Sequence, residues 1–295
     1  MRLGDTEVVD TFAEAFTMWG ARIVVTAGSP AWAAHAGRSL TGFATSVIGC
    51  KCEAGIEREL AAEETPDGRP GVSALLFAPD KEGLGKRLVE RIGQTVLTCP
   101  TTACFNGLSA EEEADVGGQL RFFGDGYQAS KVLDGRRYWR VPVMEGEFLV
   151  EERFGVVEGV AGGNIIIFAR DHETALRATQ AAASAMREVE GAIMPFPGGI
   201  ARSGSKVGSR YSALPASTNH VLCPTLRGQV EHTDLSPDVE AVFEIVIDGL
   251  ALEPVREMMR RGLAAAAQAG ASHVTAGNYG GNLGPHHIHL RELVP

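Results

Sequence analysis

Glu244 lies inside Ala241-Val-Phe-Glu-Ile-Val-Ile247, a run that otherwise reads as a strand buried on both faces. Alternation puts Val242, Glu244 and Val246 on one side and Ala241, Phe243, Ile245 and Ile247 on the other, so neither side is composed for water. Burial of such an acid raises its pKa from an ordinary value of about 4.3, which suits it to giving or taking a proton near neutral pH. The alternatives are a cross-sheet pair with an Arg or Lys, or an edge strand whose Glu244 faces solvent. The run itself leaves these open.

The residues upstream of that strand suit a ligand. Pro197 to Gly208 is rich in glycine and holds Ser203, Ser205 and Lys206, with Ser209 and Tyr211 just beyond; Pro215-Ala-Ser-Thr-Asn219 adds two hydroxyls and an amide. Short donors and one cation fit an anionic or polar extended molecule. Further glycine-rich stretches are Phe122-Phe-Gly-Asp-Gly-Tyr-Gln128, Gly159 to Asn164 and Ala276 to Gly284. None has Walker A or GxGxxG spacing, so phosphate cradling is not indicated, and any single one is better read as a structural turn than as a binding loop. No Gly-x-Ser-x-Gly elbow precedes a candidate nucleophile. His287 and His289 share a strand face, as do Cys50 and Cys52 if they lie on a strand, but neither pair has a third ligand in a metal motif, so no metal is expected.

The elements that must position these residues occur twice. Ala21 to Thr26 reads as a strand, followed by a helix from Pro30 to Ser39, a strand at Thr45-Ser-Val-Ile48 and a turn at Glu53-Ala-Gly-Ile56. Asn164 to Phe168, a helix from Glu173 to Val189, a strand at Ala192-Ile-Met194 and the turn Pro195 to Ile200 repeat the series. Next come Gly71 to Phe77 and a helix with Leu84, Leu88, Ile92 and Val96 on one stripe; their counterparts are Ala241 to Ile247 and a helix from Glu253 to Gln268, then His273 to Ala276. The expected fold is therefore α+β, with two fused ferredoxin-like (split βαβ) lobes related by internal duplication, residues 1–148 and 149–295. Insertions at 100–147 and 201–238 are long enough to be functional loops.

Composition narrows the function classes. The chain has 295 residues, 44% of them hydrophobic and 22% charged, the profile of an ordinary globular protein. A formal charge of -10 argues against nucleic acid or an anionic membrane surface as partner. Only five basic residues are Lys among much Arg, Ala and Gly, which suggests a GC-rich bacterial source. No apolar leader or membrane-length run is present, so a cytoplasmic location is expected.

Taken together, these segments resemble the formylmethanofuran:tetrahydromethanopterin formyltransferase family over nearly the whole chain. The similarity is carried by Asp10 to Phe16, Thr41-Gly-Phe43, Glu63 to Gly71, Arg91-Ile-Gly-Gln94, Phe122 to Gln128, Glu145 to Phe148, Gly159 to Asn164, Pro195 to Ile200, Ser205 to Ser209, Leu214 to Asn219, Phe243 to Ile247 and Ala276 to Gly281. Lys51, where Pro is expected, and His220, where an acid is expected, depart from the pattern. The resemblance implies two ferredoxin-like lobes, a homodimer or homotetramer and no bound cofactor, with tetrahydromethanopterin and methanofuran as cosubstrates. In a methylotrophic bacterium it further implies hydrolase subunits as partners and flow from formyl-pterin to formylmethanofuran. Glu244 matches the family's strand glutamate and is expected to be catalytic. Gly199, Ser205, Lys206, Tyr211, Ser217, Thr218 and Asn219 are expected to bind substrate, with Asp125, Tyr127 and Gln128 supplied by the first lobe or a neighbouring chain. Two alternatives are a subunit that binds formyl-pterin for a catalytic partner and a formyl hydrolase.

Overall fold

The computed structural model describes residues 1–204 and 206–294. Two compact units divide the chain: Met18–Gly159, and Met1–Thr17 together with Val160–Pro295. The first residues therefore belong to the same unit as the second half of the sequence. Among the described residues, no helix is long and apolar enough to cross a membrane.

In the Met18–Gly159 unit, strands run in the order Glu53–Leu60, Gly71–Ala78, the C-terminal part of Phe12–Thr26, and Ala103–Asn106, each antiparallel to its neighbour. Helices Pro30–Thr41 and Lys81–Arg91 bury Ala33, Ala36, Leu40, Leu84 and Leu88 in one core with Ile23, Val25, Leu76 and Phe148. Both helices start where the sequence provides a cap: the Ser29 and Asp80 side chains accept the Trp32 and Gly83 N–H groups. The stripe continues through Ile92 and Val96, but as a π-helical turn, Ile92–Val96.

The structure departs from the sequence pattern at three places in this unit. Thr45-Ser-Val-Ile48 is not a strand: the Ser46 hydroxyl accepts the Ile48 N–H and starts the helical turn Val47–Cys50. Glu53 to Ile56 is not a turn but the start of the strand Glu53–Leu60, which a bulge between Ile56 and Arg58 bends. Cys50 and Cys52 consequently share no strand, because Lys51 between them is left-handed, with φ 65°. The 100–147 insertion also carries strands: Arg136–Val143 pairs with Ala129–Leu133 and with Gly146–Glu151, and the last runs parallel to Ala103–Asn106.

In the other unit the order is Ala192–Ile193, Ala241–Gly249, the C-terminal part of Arg153–Ala169, and His273–Thr275, again all antiparallel. Gly159 to Asn164, expected as a turn, is part of that long strand, with a register shift between Val160 and Gly163. Helices His172–Met186 and Leu252–Gln268 cover one face of the sheet. Val255, Met258, Met259, Gly262, Leu263 and Ala266 form the buried stripe of the second helix, three and four residues apart. The two helices approach closely enough that a Cβ on Gly262 would lie 1.9 Å from Met186 Cε. The segment between Ala201 and Glu240 packs elsewhere, with Leu222, Leu235 and Val239 against Ile166, Phe168 and Val242.

Candidate functional site

Glu244 sits in the middle of the strand Ala241–Gly249, opposite Ile166 in the neighbouring strand. On its other side Ala201 donates its N–H to the Glu244 carbonyl at 2.8 Å and accepts the Glu244 N–H at 3.0 Å. The strand is thus flanked on both sides at this residue, and the side chain is 6% exposed. Ile245 and Ile247 point into the helix-covered core, so alternation turns Glu244 to the opposite face with Val242 and Val246. There it lines a pocket of about 40 Å³ with Ala201, Gly204, Thr218, Asn219 and Cys223. A volume of that size holds a water or a single small group.

The pocket is lined by residues 201–204, by Thr218, Asn219, Leu222 and Cys223, and by the Glu244 strand with Ile166; a short turn and a ribbon adjoin these residues in sequence. Pro197–Gly199 forms a 3-10 turn in which Gly198 and Gly199 are both left-handed; Gly199 is buried, and a Cβ there would lie 3.1 Å from Met194 Sδ. Gly204, at φ 71°, lies so close to Asn219 that a Cβ would be 2.8 Å from the Asn219 Cβ and 3.0 Å from its backbone N. Lys206–Val207 pairs with Ala216–Ser217 in a two-stranded ribbon, and the Ser217 hydroxyl donates to the Gly208 carbonyl at 2.7 Å. Lys206 Nζ is 3.2 Å from His220 Nδ1. Thr218 Oγ1 is 3.4 Å from Cys223 Sγ.

The unit containing Glu244 therefore also holds Gly199, Lys206, Tyr211, Ser217, Thr218 and Asn219. Thr218 and Asn219 share a pocket with the acid, Gly199 shapes the turn two residues before Ala201, and Lys206 and Ser217 face each other in the ribbon. Tyr211 is 74% exposed beyond the ribbon. Ser205 lies outside the described residues. Asp125, Tyr127 and Gln128 form an exposed turn of the other unit: Asp125 is left-handed at φ 52°, Tyr127 donates its N–H to Gly124 O, and the Gln128 side chain accepts the Gly126 N–H at 3.0 Å. Among the described residues no three His, Cys, Asp or Glu side chains converge as a metal would require. His287 and His289 lie on the strand His286–His289 and pack their rings against Phe12, at 4.8 and 5.4 Å between centroids.

Two residues near the pocket were not singled out from sequence. Tyr279 accepts the Val207 N–H on its phenol oxygen at 3.3 Å. Burial pushes this phenol above its ordinary value, and the charges of Glu244 and Glu14 add to the rise against the Val207 hydrogen bond. Glu14, only 2% exposed, is bonded to the loop that carries Tyr279. Tyr279 stood within a glycine-rich stretch already noted, and Glu14, like Glu244, is an acid inside an apolar strand.

Profiles of known families match both halves of the chain: residues 1–143 match formylmethanofuran-tetrahydromethanopterin formyltransferase, and residues 146–293 match the proximal lobe of the same family. A formylmethanofuran--tetrahydromethanopterin formyltransferase of Methylococcus capsulatus is 55% identical, with all of both chains covered. Among solved structures, a chain of the formyltransferase/hydrolase complex of Methylorubrum extorquens, determined with methylofuran, is 50% identical and superposes with a TM-score of 0.96 over 100% of this chain and 99% of that one. The formyltransferase of Methanosarcina barkeri is 48% identical, with a TM-score of 0.94 over 99% of this chain and 100% of that one. A mixed α+β chain with an enclosed strand carboxylate is the class that fold and site define. The chain belongs to the formylmethanofuran-tetrahydromethanopterin formyltransferase family.

Proposed function

We propose that this protein is an acyltransferase that moves a formyl group between a tetrahydromethanopterin-type pterin and a methanofuran-type amine, both acting as cosubstrates. One observation carries the reading: in a chain that belongs to the formyltransferase family from end to end, a glutamate is enclosed on a strand and lines a pocket with the Gly204 turn, Thr218 and Asn219.

The chemistry follows from those groups. The acceptor amine attacks the formyl carbon, a new N–C bond forms, and the carbonyl oxygen takes up negative charge in a tetrahedral intermediate. Breaking the bond to the donor nitrogen then releases a second amine, which leaves well only with a proton. Glu244 is the group that manages this proton, taking it from the incoming amine and returning it to the outgoing one. Thr218 and Asn219, in the same pocket, are the nearest donors for the developing oxyanion, and removal of one such donor typically costs about 10² to 10³ in rate. Lys206, Ser217, Tyr211, Ser205 and Gly199 bind the larger parts of the substrates, and Asp125, Tyr127 and Gln128 are further substrate-contacting candidates. Holding both reactants in place supplies much of the acceleration, and no covalent enzyme intermediate is needed.

The same reading assigns the chain two ferredoxin-like lobes, 1–148 and 149–295, related by duplication. The matching strand order within each unit and the two abutting family profiles support it. It also assigns formylmethanofuran hydrolase subunits as partners, which the Methylorubrum extorquens complex supports, and a homodimer or homotetramer as the chain's own assembly.

The purified protein, mixed with formylated pterin and deformylated furan cofactor in the presence of a chelator, is expected to yield formylated furan cofactor and free pterin in equal amounts. Binding of pterin without exchange, or release of formate in place of transfer, would contradict the proposal.

A further inference from the structure

Besides the Glu244 strand and Ile166, two segments line the pocket: residues 201–204, and Thr218, Asn219, Leu222 and Cys223. They meet at Gly204, where a Cβ would lie 2.8 Å from the Asn219 Cβ, and again in the ribbon, where Lys206 is opposite Ser217. The side chain of Lys206 then reaches the second segment and ends 3.2 Å from His220 Nδ1. His220 opens the 3-10 turn His220–Leu222; it donates its N–H to Thr218 O at 3.0 Å, and its carbonyl accepts the Cys223 N–H at 3.2 Å. The Val221 carbonyl accepts the Asp234 N–H and the Thr233 hydroxyl, and Leu222 packs against the cluster of Ile166, Phe168, Leu235 and Val239. The turn is therefore anchored by contacts that do not involve Lys206, and its imidazole is a fixed post for a long, flexible side chain.

The chemistry of that post decides what a ligand meets. An ammonium has three donors and no acceptor, so Nδ1 accepts in this contact and the imidazole is neutral, with its proton on Nε2. A neutral acceptor takes one hydrogen of the ammonium and leaves its charge and two hydrogens for another partner, whereas a carboxylate in the same place would cancel the charge. Asp234, the carboxylate fastened to the same turn, is engaged by His232 at 2.6 Å instead. Arg202, on the first segment, adds a second cation to the pocket lining. We infer that His220 is a positioning residue that makes Lys206 an anion site: it holds the ammonium with its charge intact for a carboxylate or phosphate group on the non-reacting part of one cosubstrate. The inference rests on the formyl-transfer reading given above and on the place that reading gives Lys206.

The test uses two changes of equal shape, His220→Asn and His220→Asp, each of which puts an acceptor oxygen close to the position of Nδ1 and which differ in charge. Affinity for each cosubstrate alone, titrated at low and high salt, is measured beside formyl-transfer kinetics and thermal unfolding. His220→Asn is expected to keep the parent's affinities. His220→Asp is expected to weaken one cosubstrate by about tenfold, the scale of one charge-assisted hydrogen bond, with a matching rise in its KM and little change in kcat. High salt should narrow the gap between the two variants, because screening weakens what the intact charge contributes. Lys206→Met must weaken the same cosubstrate, which identifies the one that carries the anionic group. His220→Leu removes the acceptor without adding charge and should weaken that cosubstrate to a smaller extent; if the Asp variant fails to fold, Asn against Leu decides. Equal affinities of the Asn and Asp variants with formyl transfer intact, or an Asp variant that loses kcat or stability but keeps its affinities, would overturn the inference and leave the formyl-transfer reading standing. A parent protein that binds both cosubstrates without exchanging formyl groups would overturn that reading, while the affinities still decide the role of His220.

Discussion

At the scale of the residue, the site depends on glycines as much as on the acid it surrounds. Gly204 is left-handed and touches Asn219 through both side chain and backbone, so any side chain there has nowhere to go without moving one pocket wall from the other. Gly204→Ala should therefore raise KM or lower kcat severalfold while the melting temperature stays close to the parent's, since the two helix-packed cores do not include it. Steady-state kinetics beside a thermal melt checks this, and unchanged kinetics would show that the Gly204 turn is not part of the pocket's working geometry. Residue types announced Glu244 because an acid interrupts an apolar run. Glu14 interrupts one in the same way at Phe12-Ala-Glu-Ala-Phe16, yet its role was not legible: its partners are backbone N–H groups about 265 residues away, and backbone groups leave no mark on the sequence.

At the scale of the element, helices were legible where a cap and an apolar stripe agree. Asp171 accepts the Thr174 N–H, Asp80 accepts the Gly83 N–H, and both helices follow their stripes. Strands were less so. Thr45-Ser-Val-Ile48 has strand-like residues but a serine at the position that starts a helical turn, while Glu53–Leu60 has the polar and glycine content of a turn but is held as a strand by Gly71–Ala78. Tertiary pairing overrides local preference in both. The contact of Gly262 with Met186 gives a stability test at this scale. Gly262→Ala adds a methyl into a closed helix pair, where overpacking costs about 1 to 3 kcal/mol against about 1 kcal/mol gained from helix propensity. A net loss in chemical denaturation is expected, and the increment caused by Gly262→Ala should be smaller when it is measured in a Met186→Ala background. A stabilised single variant would mean that the helices part more easily than this packing implies.

At the scale of the whole molecule, stability should fall on the acid side for identifiable reasons. Burial holds His273, stacked on Phe168 at 4.0 Å between centroids, below its ordinary value, so the folded state binds this proton less readily than the unfolded one. Its contribution is present above about pH 6.5 and declines as pH drops below that. Glu14, and Glu257, whose hydrogen bonds to Arg260 and Arg261 hold it down to about 2, are depressed carboxyls. Their contributions are present above the ordinary carboxylate range and are lost as pH falls through their folded-state values. Glu151, raised by burial, works in the opposite sense. Denaturation midpoints measured from pH 8 to pH 3 are expected to decline gently below pH 6.5 and more steeply below about pH 4; a maximum near pH 4 would contradict this assignment.

Replacing Glu244 by its amide is the sharpest check on the proposed role of this strand acid as the proton carrier of formyl transfer. Glu244→Gln keeps the size and one acceptor of the side chain and removes the titrating proton. The rate of formyl exchange between pterin and furan cofactor, measured together with affinity for each, should fall by about 10² to 10⁴, the range for a lost general acid or base, with both cosubstrates still bound. A folded Glu244→Gln protein that exchanges formyl groups at close to the parent rate would show that the enclosed carboxylate only supports the strand.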